Sequence, residues 1–195
     1  MKVVEITTTL DKKEYLVILE NNSKFRASAD VILKFKIAPG LELSGDDIAN
    51  IKNNSKDDRA FNAALRLITG RRKTEFEIRA YLKKKELNQE RIEEIVNRLL
   101  DLNLLDDSKY IESFIHDQNL KSPISRTKLI YKLKAKGISA NLIDEYFSSH
   151  EDNQLDNLKK LIEIKRRQTK YKDNQKLMAY LVRNGFNYSD IKSII

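Results

Sequence analysis

The chain contains no cysteine and no tryptophan, and only two prolines and five glycines among its 195 residues. Without cysteine, neither a disulfide nor a thiolate metal site can form, which fits a reducing compartment. No stretch approaches the roughly 18 consecutive apolar residues of a membrane-spanning helix. The N-terminus MKVVEITTTLDKKEYLV has no apolar core of a secretory signal. We therefore expect a cytoplasmic protein without a membrane partner.

Residues that support catalysis or cofactor binding are equally scarce. None of the glycines lies in a GxxxxGK or GxGxxG phosphate loop. The two histidines, His116 and His150, are far apart and lack partners at ligand spacing. Asp106 and Asp107 directly precede the helical pattern SKYIESFIHD, so helix capping explains them better than acid–base or metal chemistry. We expect no catalytic residue, no metal, no cofactor and no enzymatic activity.

One pattern occurs three times along the chain. The segments YLKKKELNQERIEEIV, KLKAKGISANLIDEYF and YLVRNGFNYSDIKSII align with apolar residues at the same positions, for example Leu82, Leu133 and Leu181. The copies are offset by 51 and then 48 residues, which leaves room for a third helix beside each helical hairpin. The candidates for that third helix are residues 59–70, 108–119 and 153–168.

Helix-capping residues recur in the same register. Thr74 has Glu77 three residues later, which predicts a capping box at the start of the first hairpin. Ser125 and Asp173 are the equivalent caps in the later copies. The second helices of the three hairpins begin after Asn88, Ser139 and Asn187. Capping is a positional requirement of the backbone, so this agreement supports three structural repeats.

The N-terminal part has a different character. Residues 2–28 predict three short strands in an antiparallel meander, with turns at Asp11–Lys13 and Asn21–Ser23. Residues 29–37 predict a short helix capped by Ser28 or Asp30, and SGDDIANI predicts a further helical turn capped by Ser44 or Asp46. We place a break in secondary structure and a domain boundary at the polar segment NNSKDD, residues 53–58.

The predicted fold is mainly α. Three tandem three-helix repeats form an elongated array, preceded by a small β-rich N-terminal extension. The predicted domains are residues 1–58 for the extension and residues 59–107, 108–150 and 151–195 for the three repeats. The sequence leaves the oligomeric state open, and we take a monomer as the expectation.

The net charge of +8 is unevenly distributed. Residues 1–60 contain ten basic and ten acidic residues, whereas residues 61–195 contain 27 basic and 19 acidic ones. A basic repeat region indicates an anionic partner, either nucleic acid or an acidic protein surface. Solubility alone is the alternative explanation.

The most basic segment is KSPISRTKLIYKLKAKG, which has six basic residues and no acidic one. Lys128, Lys132 and Lys136 are spaced to form one stripe along a helix, and like charges at that spacing repel. The stripe therefore favours contact with phosphates. The alternative is that the lysine stems cover apolar surface while their ammonium groups stay in water.

Smaller basic clusters occur at Arg71–Lys73, Lys83–Lys85 and Lys165–Lys172. Cations at a helix C-terminus also favour the helix dipole, which is sufficient to explain Lys83–Lys85. Tyr171 either stacks on a base or lies at the edge of the core. The candidate DNA-binding or protein-binding residues are Arg71, Arg72, Lys73, Lys83, Lys84, Lys121, Arg126, Lys128, Lys132, Lys134, Lys136, Lys165, Arg166, Arg167, Lys170 and Lys172.

A stand-alone helix-turn-helix DNA-binding regulator is the alternative function. The second helices, ERIEEIVNRL and NLIDEYF, are acidic on their exposed faces, whereas a recognition helix usually begins with Arg, Asn or Gln. The basic residues lie on the first helices and before them. This arrangement favours contact with the DNA backbone, without sequence specificity.

The segment RRKTEFEIRAYLKKKELNQERIEEIVNRLLDLNLLDDSKYIESF, followed by SPISRTKLIYKLKAKGISANLIDEYF, resembles the RecX family of RecA modulators. The residues that carry the resemblance are Arg71, Arg72, Thr74, Glu77, Ile78, Leu82, Lys84 and Leu105–Asp106–Asp107. It covers residues 60–150 well and the third repeat more weakly. Two departures are Glu86, where a glycine is usual, and Asn103–Leu104, where a glycine and an aromatic or aliphatic residue are usual.

The resemblance implies a function that the residues alone do not. RecX proteins are cytoplasmic bacterial proteins, helical in their repeats, and are not enzymes. They bind along RecA filaments, contact single- and double-stranded DNA, and lower the ATPase, strand-exchange and co-protease activities of RecA. The β-rich N-terminus is similar to an extension that some members carry.

Overall fold

A computed structural model describes residues 1–9, 14–150 and 153–195. The turn predicted at Asp11–Lys13 lies outside the described residues. Within these ranges the chain forms three β-strands, ten α-helices and one 3-10 turn, so the mainly helical fold with a β-rich N-terminus is confirmed. None of the described helices combines the length and apolar character needed to cross a membrane.

The N-terminal sheet is the predicted antiparallel meander. Strands β1 (Val3–Thr8), β2 (Tyr15–Leu19) and β3 (Lys24–Ala27) pair in the order β1-β2-β3. The turn predicted between β2 and β3 is present, and Asn22 adopts a positive φ of 61° there. Helix α1 (Ala29–Lys34) begins at Ser28, whose hydroxyl accepts a hydrogen bond from the N–H of Val31. The inner face of the sheet packs with α1 around a buried core that includes Val17 and Phe25.

Helix α2 (Gly45–Gly70) begins at Ser44 with a capping box to Asp47. The break predicted at residues 53–58 is wrong, because α2 runs through this segment without interruption. Its polar side chains have partners within the fold. Ser55 is fully buried and donates its hydroxyl to the carbonyl of Ile51, and Asp58 accepts a hydrogen bond from the Ser28 hydroxyl. The two helices predicted on either side of the break are therefore one.

Two more helices complete the first repeat. These are α3 (Glu75–Lys83) and α4 (Gln89–Asp101), which begins at the predicted cap Asn88. The chain divides into two compact units, and the first comprises Met1–Arg71 and Arg79–Leu102. Within it, Arg91 pairs with Asp57 at 3.5 Å, and the guanidinium of Arg98 lies 4.0 Å from the ring centre of Phe61.

The second compact unit comprises Arg72–Ile78 and Asn103–Ile195. Its helices are α5 (Asp107–Lys121), α6 (Arg126–Ala135), α7 (Ala140–Ser149), α8 (Gln154–Arg166), α9 (Asn174–Arg183) and α10 (Tyr188–Ile194), with a 3-10 turn at Thr169–Tyr171. The predicted caps Ser125, Ser139, Asp173 and Asn187 are confirmed. The helices α5–α7 and α8–α10 each enclose a separate apolar core. The predicted domain boundaries between the repeats remain predictions.

Candidate nucleic-acid interface

Two contacts of the same design join successive repeats within the second compact unit. At the first junction, the buried Thr74 hydroxyl at the start of α3 donates to the carbonyl oxygen of Lys136 at the end of α6, over 2.8 Å. At the second junction, the buried Ser125 hydroxyl at the start of α6 donates to the carbonyl oxygen of Asn184 at the end of α9. Each hydroxyl thus caps its own helix and also holds the next repeat.

The first junction is rich in carboxylates. The Nζ atom of Lys136 lies 2.7 Å from Oε1 of Glu77, and Oδ1 of Asp107 accepts a hydrogen bond of 3.0 Å from the N–H of Glu75. Burial raises the pKa of Glu77, but the hydrogen bonds from Lys136 and Thr74 and the charge of Lys136 outweigh it, so that pKa lies below its ordinary value. Burial raises the pKa of Asp107 above its ordinary value.

The second junction has the same geometry with different chemistry. Lys128 occupies the position that Glu77 holds at the first junction, and Asn184 occupies that of Lys136. The Nζ atom of Lys128 donates to Oδ1 of Asn184 over 2.7 Å. Oε1 of Gln154 accepts a hydrogen bond of 3.0 Å from the N–H of Arg126, as Asp107 does for Glu75. At this junction Gln154 thus replaces the carboxylate of Asp107 and Lys128 that of Glu77, while the amide of Asn184 replaces the ammonium group of Lys136.

A cleft of about 190 Å³ opens beside the second junction, and we call it the lysine cleft. Three lysines line it, Lys121, Lys128 and Lys132, together with Gln118, Ser122, Tyr180 and Asn184. The Nζ atom of Lys132 donates to Oε1 of Gln118 over 2.6 Å. The Nζ atom of Lys165 lies 4.9 Å from the ring centre of Tyr180, which adds a fourth positive charge nearby. Neutral amide oxygens thus hold two of the ammonium groups in place without cancelling their charge.

The predicted lysine stripe is divided by these contacts. Lys136 is half-buried and forms an ion pair with Glu77, so its charge is locally neutralised. Among the described residues, Lys128 and Lys132 form no ion pair, and they lie at the cleft with Lys121, which is outside the stripe. The structure therefore brings together three of the sixteen candidate residues in one concave site.

Several other candidate residues make contacts that support the fold. The guanidinium of Arg126 lies 4.7 Å from the ring centre of Phe147, and Nη1 of Arg166 donates to the carbonyl of Lys172 over 2.9 Å. Arg72 makes a long contact of 3.5 Å to the carbonyl of Lys109. Lys73 is half-exposed, while the remaining candidates lie on exposed surface: Arg71, Lys83 and Lys84 in the first unit, and Lys134, Arg167, Lys170 and Lys172 in the second.

Other sequence interpretations are resolved by the structure. Tyr171 is 9% exposed and packs 5.0 Å from Tyr180, so it lies at the edge of the core. Asp106 caps α5 by accepting a hydrogen bond from the N–H of Lys109, as predicted, whereas Asp107 caps α3 instead. In the described part of the chain, no group of three metal-ligating side chains comes together.

Sequence reasoning did not identify Gln118, Tyr180 or Asn184, because none of them is charged. A signal for Asn184 was present, since the offsets of 51 and 48 residues align Glu77 with Lys128 and Lys136 with Asn184. The aligned pairs are Glu77 with Lys136 at the first junction and Lys128 with Asn184 at the second. The first pair has opposite charges, whereas the second has a lysine and a neutral amide.

Comparison with known proteins identifies the family. The family model of the first three-helix domain of RecX matches residues 60–99, and that of the third three-helix domain of RecX matches residues 151–195. The regulatory protein RecX of Clostridium acetobutylicum is 30% identical over 203 residues, which cover 99% of this chain and 94% of that protein. The chain belongs to the RecX family. The RecX protein of Finegoldia magna is 29% identical, with 94% of each chain covered.

Solved RecX structures share the fold. A crystal structure of regulatory protein RecX superimposes with a TM-score of 0.76 at 25% identity, covering 99% of this chain and 98% of the other. RecX from Lactobacillus salivarius gives a TM-score of 0.62 over 71% of this chain and 94% of the other, also at 25% identity.

The junctions also explain a departure from the RecX pattern. Gly137 and Gly185 follow α6 and α9 with φ of +79° and +83°, and a Cβ atom there would lie 2.2 Å from Cγ of Phe76 and 2.7 Å from Oγ of Ser125, respectively. Glu86 is the equivalent residue after α3 and has a φ of 57°. Glu86 is exposed, so its side chain has room, and its carbonyl accepts a hydrogen bond from Nζ of Lys56.

Proposed function

We propose that this RecX-family chain is a negative regulator of RecA. It binds the RecA–DNA filament, contacts single- and double-stranded DNA without sequence specificity, and inhibits the ATPase, recombinase and co-protease activities of RecA. Membership of the RecX family, whose relatives bear the name regulatory protein RecX, supports this proposal. We further propose that the chain acts as a cytoplasmic monomer and has no catalytic activity of its own.

The lysine cleft is the observation that carries the DNA-binding part of the proposal. Three lysines line one cavity, and the ammonium groups of two of them are held by amide oxygens that leave their charge uncompensated. Contact with the phosphate backbone needs positive charge at defined positions and no base readout. A regulator that acts on filaments formed on any sequence requires this kind of contact.

The test is the DNA-dependent ATPase activity of RecA on single-stranded DNA, with RecA from the same organism. We expect inhibition when this protein is titrated well below one molecule per RecA. A triple variant with Lys121, Lys128 and Lys132 changed to Gln should inhibit more weakly, whereas Lys136→Gln should inhibit nearly as well as wild type, because Lys136 is paired with Glu77.

The same protein preparation separates this function from that of a helix-turn-helix regulator. Binding to many unrelated duplexes should be measured beside the ATPase assay. No inhibition of RecA at any ratio, with a preference of at least about 10³ for one duplex site, would replace the proposed function by sequence-specific regulation.

A further inference from the structure

The two junctions of the second compact unit differ in charge although their backbone contacts are the same. At the first junction, the side chains are the carboxylates of Glu75, Glu77 and Asp107 and the ammonium group of Lys136. At the second, the equivalent positions are Arg126, Lys128, Gln154 and Asn184. One inter-repeat contact is thus acidic and the other is basic.

Folding by itself does not favour the basic junction. Glu77 is the third residue of its helix, and its carboxylate accepts a hydrogen bond of 3.3 Å from the N–H of Thr74, which completes a capping box. Lys128 takes this position in α6, where a positive charge opposes the helix dipole. The first turn of α6 contains no acidic residue at all. A lysine at this position therefore indicates a role other than stabilising the helix.

The amides around the cleft leave the lysines ready to bind an anion. An ammonium group has three N–H donors, and Lys128 and Lys132 each use one for an amide oxygen. The remaining donors and the full positive charge stay available. Because Asn184 and Gln118 hold the two side chains, less rotamer entropy is lost when an anion binds.

We infer that the lysine cleft binds one phosphodiester group of a nucleic-acid backbone. Lysines are point charges that approach an anion from several directions, and they are common phosphate ligands in proteins. The neighbouring arginine, Arg126, lies over the ring of Phe147. The volume of about 190 Å³ is below the range of about 300–1,000 Å³ for pockets that enclose drug-sized ligands, so it suits a single phosphate group.

This inference deepens the proposed function, because it assigns the lysine cleft to DNA and leaves RecA to other surfaces. The test is the affinity for a fluorescein-labelled oligodeoxythymidylate, measured by fluorescence anisotropy across a series of salt concentrations. Each phosphate contact on a single strand contributes about 0.7 to the slope of log K against log salt concentration.

The cleft variant has Lys121, Lys128 and Lys132 changed to Gln. Because the cleft holds one phosphate group, the salt slope of this variant should be smaller than that of wild type by about 0.7. The matched control changes Lys159, Lys160 and Lys176 to Gln, three exposed lysines of the same unit outside the cleft, and loses the same net charge. We expect the control to lose less than about half of that amount. An equal loss in both variants would overturn the inference.

A further variant checks the geometry. Lys128→Arg keeps the charge and should retain the salt slope of wild type, whereas Lys128→Gln should lose part of the contribution of about 0.7 that the phosphate makes. Equal slopes for these two variants would exclude Lys128 from the phosphate contact and overturn the inference.

Parallel RecA ATPase assays separate the two proposals. If the cleft variant keeps the salt slope of wild type but no longer inhibits RecA, the cleft contacts RecA itself, and the phosphate assignment is wrong while the proposed function stands. If wild type does not inhibit RecA but the cleft variant loses the salt slope, the phosphate site stands and the proposed function fails.

Discussion

Gly137→Ala is the substitution for which the structure gives the most definite consequence. Gly137 follows α6 with a φ of +79°, in the left-handed region, and the carbonyl of the preceding Lys136 accepts the Thr74 hydroxyl. A Cβ atom on Gly137 would lie 2.2 Å from Cγ and 2.3 Å from Cβ of Phe76. These distances are far below van der Waals contact, and the atoms concerned lie close to the backbone.

Two contributions set the free-energy cost of Gly137→Ala. A left-handed conformation costs a residue with a Cβ atom about 1–2 kcal/mol. Inserting a methyl group into a packed contact costs typically about 1–3 kcal/mol. Because Phe76 is 55% exposed, its ring has room to move, which reduces the second term. We expect Gly137→Ala to lower the free energy of unfolding by about 2–4 kcal/mol.

The assay is urea denaturation followed by circular dichroism, with Glu86→Gly as the matched control. Glu86 has the same left-handed backbone conformation, but its side chain is exposed. Replacing it by glycine should therefore change the free energy of unfolding by less than about 1 kcal/mol. A loss below about 1 kcal/mol for Gly137→Ala would refute the reasoning from the junction. So would an equal loss for both variants.

Three further substitutions test the electrostatics of the junctions. Asp107→Asn should raise the free energy of unfolding at neutral pH, because the raised pKa of Asp107 reflects a buried charge near Glu75. This gain, measured by urea denaturation, should shrink as pH falls and the wild-type carboxyl becomes protonated. Lys136→Met should lower stability by about 0.5–1 kcal/mol at neutral pH. The pKa of Glu77 is lowered in the folded state, so the stability difference between wild type and Lys136→Met is present above the unfolded pKa of about 4.3. It should be lost as pH falls through the lower folded pKa, and a stability difference that stays constant down to pH 2 would contradict the prediction. Lys128→Glu should raise the melting temperature at low salt, through a gain in stability of about 0.3–1 kcal/mol, while weakening DNA binding. A lower melting temperature would contradict the unfavourable interaction of Lys128 with the dipole of α6.

Much of the fold was predictable because its signals are local. Thr74, Ser125 and Asn88 cap helices through hydrogen bonds to the residue three positions later, so residue type and spacing are sufficient to recognise them. The aligned leucines Leu133 and Leu181 are fully buried, as the helical period indicates. The strands of the N-terminal meander were likewise marked by their turn residues.

The break predicted at residues 53–58 failed for the opposite reason. A polar run looks like a loop when its neighbours are unknown, but Asp57 and Asp58 find partners in Arg91 and Ser28, about 30 residues away in either direction. Their contacts depend on packing that no local window contains.

The charge of the candidate site depended on tertiary structure in the same way. Lys128, Lys132 and Lys136 are indistinguishable along the sequence, since they follow one another at a spacing of about one helical turn along α6 and its C-cap. Glu77 neutralises Lys136, while Asn184 and Gln118 leave the charges of Lys128 and Lys132 intact. Helix positions follow from neighbours in the chain, whereas the net charge of a surface follows from which distant side chains the fold places beside it.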